Sequence, residues 1–199
     1  TFALYYVMMF ALDISDTGLQ YTPFAITDHF FAHIDQLIGV HTVAIMQWVT
    51  DHAWANDTLN TAYNSLVFQL FLIPFIVCCF NEKVLARHFI IAGMLGYCFI
   101  QLLYYFFPTI APAGIMHSSL FSTDQLSCKV KFYQIHHGLK VNDSVSCIVS
   151  FPSPHVFCAT LMTYICKNLR WLFLPILGLN LVLSAATVLL GYHYTADVL

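Results

Sequence analysis

Two histidines and an aspartate flank a single apolar hairpin in this chain. Phe151-Pro152-Ser153-Pro154-His155 opens one apolar segment, and Gly191-Tyr192-His193-Tyr194-Thr195-Ala196-Asp197 follows the next. Histidine takes and gives protons near neutrality and can itself be a nucleophile. The four-residue spacing of His193 and Asp197 places the carboxylate one turn from the imidazole where the segment is helical. There it would hold one ring nitrogen protonated and leave the other to attack. His155 follows two prolines that preset a first helical turn, with Ser153 as the expected cap. The free N–H groups and positive dipole end of that turn make an anion site beside the imidazole. The pattern points to phospho-group chemistry. The competing reading, a His193–Asp197 pair that merely seals a helix end, is weakened because ionisable groups near a membrane are costly.

The element that positions these residues is long enough to cross a bilayer. Trp171 to Gly191 supplies the roughly 20 apolar residues a crossing needs, and one crossing out and one back return both histidines to the same surface. Across all 199 residues, 59% are hydrophobic and 9% charged, against about a quarter charged in soluble domains. The expectation is an all-α polytopic membrane helix bundle, one domain over residues 1–199. A net charge of -3 leaves no nucleic-acid footprint. Thr1 lies in an apolar run already under way and Leu199 ends where another could begin, so the chain reads as truncated at both ends. About six spans are expected in the full protein, five of them represented here.

Thr1 to Leu12 reads as the end of a first span and Asp13 to Asp28 as a polar loop. His29 to Val49 carries a helical apolar stripe broken by Asp35, Gln36 and Gln47, the pattern of an interfacial amphipathic helix. Leu59 to Phe80, His88 to Phe107, Val156 to Ile165 and Trp171 to Gly191 are the further crossings, the third of them short. The connectors are Asn81 to Arg87, Pro108 to Ser150 and Lys167 to Arg170. Both short connectors are basic, through Lys83, Arg87, Lys167 and Arg170, so the positive-inside rule puts the histidine side outside the cytoplasm, facing periplasm or lumen. Lys129, Lys131 and Lys140 in the long connector count against this, offset in part by Asp124 and Asp143. Five cysteines fall in or beside spans, where buried thiols are ordinary packing groups. Cys128 and Cys147 bracket the polar part of the long connector, and are either free thiols or a disulfide holding it over the site. His29 and His33 sit four apart, but no zinc-spaced ligand set accompanies them. No metal or cofactor is expected.

The two histidine motifs resemble the second and third signature motifs of the type 2 phosphatidic acid phosphatase superfamily. Phe107-Pro108-Thr109-Ile110-Ala111-Pro112 is similar to the proline pattern of its inositolphosphotransferase branch, the inositol phosphorylceramide synthases. The sphingomyelin synthases share the His-Tyr-Thr-x-Asp form of the last motif. The resemblance implies that His193 is the nucleophile, that Asp197 orients it, and that His155 protonates the leaving oxygen. Ser153, Pro154, Tyr194 and Lys140 are the expected substrate contacts. Two departures stand out: Thr187 occupies the place of the phosphatases' arginine six before the last histidine, and Phe107 precedes Pro108 where their first motif has Arg-Pro. A phosphodiester, with one negative charge, tolerates that loss better than a dianionic monoester. The resulting expectation is a transferase moving a phosphate-linked headgroup between lipids. Lipid phosphate hydrolysis is the alternative, and a non-catalytic lipid-binding member a third. Membrane lipids are the expected partners, as substrate and acceptor, with no obligatory protein partner inferred.

Overall fold

The computed structural model describes residues 2–80, 83–141 and 150–198. Among them are nine α-helices: α1 Phe2–Leu19, α2 Asp28–Leu37, α3 Thr42–Asp51, α4 Ala53–Cys79, α5 Lys83–Phe106, α6 Pro112–Ile115, α7 Thr123–His136, α8 Pro154–Ile165 and α9 Arg170–Leu189. The fold is the all-α membrane bundle that the composition demands. Three helices are long and apolar enough to cross a bilayer, within Ala53–Cys79, Val84–Phe106 and Arg170–Leu189. Their outward faces carry Phe68, Phe71, Leu72, Leu95, Phe99, Leu174 and Leu181, all exposed. Such a surface is stable against lipid tails and not against water.

Helices α4, α8 and α9 pack on one another, with α5 against α8 and α1 against α5. The expected crossing at Val156 to Ile165 is the 12-residue α8, about 18 Å long, well short of a hydrocarbon core of about 30 Å. It lies inside the bundle, with Ala159, Met162 and Ile165 almost wholly buried. Asn180 of α9 donates to the Ala159 carbonyl at 2.8 Å and to Thr163 Oγ1 at 2.9 Å. An amide inside a bilayer needs such partners, so this contact fixes the α8–α9 hairpin.

Three stretches differ from the sequence expectation. Helix α1 runs on through the anticipated loop to Leu19, because Asp16 is buried and accepts from Tyr97 and Gln101 of α5. The anticipated single helix over His29 to Val49 is two helices, α2 and α3, parted at Gly39 with φ +78°, a backbone state that glycine enters without penalty. The connector from Pro108 to Ser150 contains α6 and the 14-residue α7. A reciprocal capping box starts α7: Ser122 accepts from Gln125 N–H, and the Gln125 side chain accepts from Ser122 N–H.

Candidate functional site

The site gathers at one end of the bundle, where α8 begins and α9 ends. Gly191 closes α9 at φ +74°, and a Cβ there would lie 2.4 Å from Met46 Sδ. The reversal lets Tyr192 and His193 both donate their N–H groups to the Thr187 carbonyl, at 3.0 and 2.9 Å. The chain then turns through a short 3-10 segment, Thr195–Asp197. His193 and Asp197 are therefore paired by a folded-back turn, not by the continuous helix that their spacing suggested.

His193 Nδ1 lies 3.5 Å from Asp197 Oδ2, and both side chains are buried. That carboxylate oxygen also accepts the Tyr194 N–H at 2.9 Å and the Ser150 hydroxyl at 3.1 Å. The Ser153 N–H donates to the Asp197 carbonyl at 2.9 Å, which joins the start of α8 to the end of the His193 segment. The Ser153 hydroxyl faces His193 Nε2 at 3.2 Å and accepts the Val156 N–H at 3.4 Å. The arrangement fits an imidazole that carries its proton on Nδ1, toward Asp197, with Nε2 turned to the Ser153 hydroxyl.

His155 sits edge-on to His193, their ring centroids 5.6 Å apart. Its other neighbour is Tyr63 of α4, stacked at 4.6 Å, and Tyr192 stacks on the far face of Tyr63 at 4.3 Å. The column Tyr192–Tyr63–His155 leaves the imidazole little rotational freedom. Burial, and then the neighbouring His193 ring, hold His155 down at a pKa of about 3, so it is neutral at physiological pH. Of the first-turn donors in α8, proline has no N–H and Ser153 holds that of Val156, so the N–H of His155 itself is the one left for an anion.

These groups open on a cavity of about 320 Å³. Its wall includes His155, His193, Ser150, Tyr63, Asn64, Ile110, Ala111, Asp124, Gln125 and Tyr192. No Lys or Arg lines it among the described residues, and residues 142–149, outside the description, contain none. Asp124 brings a carboxylate to the wall instead. Gln125 ties α7 over this end by donating to the Leu190 carbonyl at 3.2 Å.

The expected site residues are distributed unevenly. His155, His193, Asp197, Ser153 and Pro154 are brought together. Tyr194 is wholly buried with its hydroxyl donated to Asp28 at 3.0 Å, and it does not line the cavity. Lys140 is exposed beyond α7 and off the cavity wall. Cys128 lines the wall and is disulfide-bonded; Cys147 lies outside the described residues. Thr187, in the position of the missing arginine, is fully buried and donates to the Ser184 carbonyl at 2.7 Å. His29 and His33 are exposed, and no group of three metal-ligating side chains occurs among the described residues. Sequence reasoning missed Tyr63, Ser150, Asp124, Asp28 and Asp35. Ser150 adjoins the first histidine motif, which is a signal of sorts; an aromatic on a membrane helix gives none.

Fold and site together describe a helical membrane protein with a buried His193–Asp197 pair and a half-buried His155 at one end of its bundle. The chain belongs to the PAP2 superfamily, whose family model matches residues 29–199. Members of this superfamily are generally phosphatases or phosphotransferases. No curated protein and no solved structure matches the chain.

Proposed function

We propose that this protein moves a phosphate-linked headgroup between membrane lipids through a phosphohistidine at His193. The observation that carries the choice of transfer over monoester hydrolysis is the cavity wall, which among the described residues has no Lys or Arg and presents Asp124. A dianionic phosphomonoester there would be desolvated without a cation, whereas a phosphodiester brings a single charge. His155 and the N–H at the start of α8 can meet that charge. The resemblance to the inositol phosphorylceramide synthases supports an inositol phosphate headgroup with a sphingolipid acceptor.

In this reading Nε2 of His193 attacks phosphorus in line with the lipid oxygen, which departs with the proton of His155. The substrate anion beside His155 offsets the burial that otherwise keeps it neutral. Asp197 stabilises the positive charge that develops on His193 through Nδ1. The acceptor hydroxyl then gives its proton to His155 and attacks phosphorus, and the N–P bond breaks to restore the His193 imidazole. The basic ends of α5 and α9, with the positive-inside rule, support a site outside the cytoplasm.

The test uses full-length protein in detergent with phosphatidylinositol labelled in its phosphate, with and without ceramide, and with labelled phosphatidic acid in parallel. Label passing to ceramide in wild type and not in His193→Ala is the expected result. Release of inorganic phosphate from phosphatidic acid, without transfer, would replace this reading by a lipid phosphatase. Turnover of neither lipid would favour a lipid-binding member.

A further inference from the structure

The cavity wall opposite the histidines is bent in a way that L-residues avoid. Ala111 sits at φ +94°, ψ 170°, a backbone region left almost entirely to glycine and occupied by other residues only where the surroundings impose it. Ile110 and Ala111 face the same cavity as His155 and His193. What imposes the bend is the start of α2. The Thr27 N–H and hydroxyl donate to the Pro108 carbonyl at 2.9 and 3.0 Å. Asp28 accepts the Ile110 N–H on one oxygen at 2.9 Å and the Ala111 N–H on the other at 3.0 Å. Asp28 is completely buried, and the Tyr194 hydroxyl is its third donor, at 3.0 Å. About two turns further along α2, Asp35 accepts the Thr195 N–H at 3.0 Å.

We propose that Asp28 is a positioning residue of the histidine site: one buried carboxylate joins the strained Pro108–Pro112 wall to the segment that carries His193 and Asp197. A carboxylate suits the place because donors converge on both of its oxygens, and an ionised carboxylate only accepts. Asparagine would turn an NH₂ toward one of those donors. The wall would then relax away from its bend, and Tyr194, next to His193, would lose its anchor.

The test is a double-mutant cycle on the full chain in detergent: wild type, Asp28→Asn, Ala111→Gly and both together. Glycine adopts the Ala111 conformation unaided, so it should remove most of the need for the anchor. Each protein is assayed well below its own Tm with labelled phosphatidylinositol and ceramide, and its Tm is measured separately. D28N is expected to lower kcat per folded molecule about 10-fold or more with KM within about twofold, since misplacement acts on the chemical step. In the A111G background the same substitution is expected to cost no more than about threefold. An equal cost in both backgrounds, or a folded D28N with wild-type kcat, overturns the proposal. The activity arm rests on the phosphotransfer reading; the thermal arm does not. Should wild type turn over neither phosphatidylinositol nor phosphatidic acid, that reading has failed, and the Tm cycle decides alone. A Tm loss from D28N that shrinks in the A111G background upholds the anchor, and an undiminished loss removes it. Should D28N not fold, Tyr194→Phe, which deletes one of the three donors, is expected to lower kcat about threefold, and an unchanged kcat overturns the proposal.

Discussion

The two ends of this bundle are held by different forces. At the end away from the histidines, Ile73 and Val77 of α4, Leu85 and Phe89 of α5, and Met162 and Ile165 of α8 form one apolar cluster with Cys166. Contacts of that kind are numerous, weak and without direction, so a lost methyl group is shared among neighbours. At the histidine end the buried residues include the polar Asp28, Asp35, Ser150, Ser153, His193 and Asp197. There each position is fixed by a few directed hydrogen bonds, and the loss of one leaves its partner stranded. The apolar end should therefore govern whether the protein stays folded, and the polar end whether the folded protein works.

Substitutions at the two ends can break or sharpen that contrast. The largest effect on turnover is expected from His193→Ala, with at least a 10³-fold loss of rate and no labelled phosphohistidine after rapid quench. The protein should still elute as the native species. Asp197→Asn should follow with a loss of about 100-fold, because the amide no longer balances charge on Nδ1 and can favour the wrong tautomer. Tyr63→Leu frees one face of His155 and should cost about 10-fold in kcat with KM little changed. Tyr63→Phe, which keeps the stack, should stay near wild type. Met162→Ala tests the other end. It is expected to remove roughly 2–4 kcal/mol of stability while kcat per folded molecule holds, and a matching fall in kcat would erase the distinction between the ends.

The smallest effect is a pH dependence of stability. Burial lifts Asp28 from the ordinary 3.8 to about 6, against the hydrogen bonds from Ile110, Tyr194 and Ala111 that pull it down. Between those values the native protein keeps a proton that the unfolded chain has released, so stability from this group falls as pH rises through the window. Asparagine does not titrate. The Tm difference between wild type and D28N should thus be wider near pH 4.5 than near pH 7.5, and a difference that is flat or widens with pH would contradict the assigned environment of Asp28.

Legibility followed the same division. The apolar spans could be read because a bilayer imposes length and composition on a helix regardless of its neighbours, and α4, α5 and α9 lie where hydropathy put them. His155 and Ser153 were legible because Pro152, Ser153 and Pro154 act locally, through backbone preset and cap. Helix α7 was not anticipated, although Ser122 and Gln125 carry its capping signature three residues apart. Asp16 and Asp28 read from sequence as parts of a polar loop because a carboxylate in isolation belongs in water. Tyr97, Gln101, Ile110, Ala111 and Tyr194, which make their burial tolerable, are distant in the chain.

The sequence by itself determined a helical membrane protein and a hairpin with His155 at its head and His193 and Asp197 at its foot. These depend on segment length, apolar content and residues within one turn of each other. Tertiary structure alone decided the rest: the Tyr63–His155 stack, the Ser150–Asp197 bond, and the Asp28 junction between α2, Pro108–Pro112 and Tyr194. Each joins residues between 47 and 166 positions apart. Such contacts exist only once the helices have packed, because their energy comes from burial and direction, neither of which a local segment possesses.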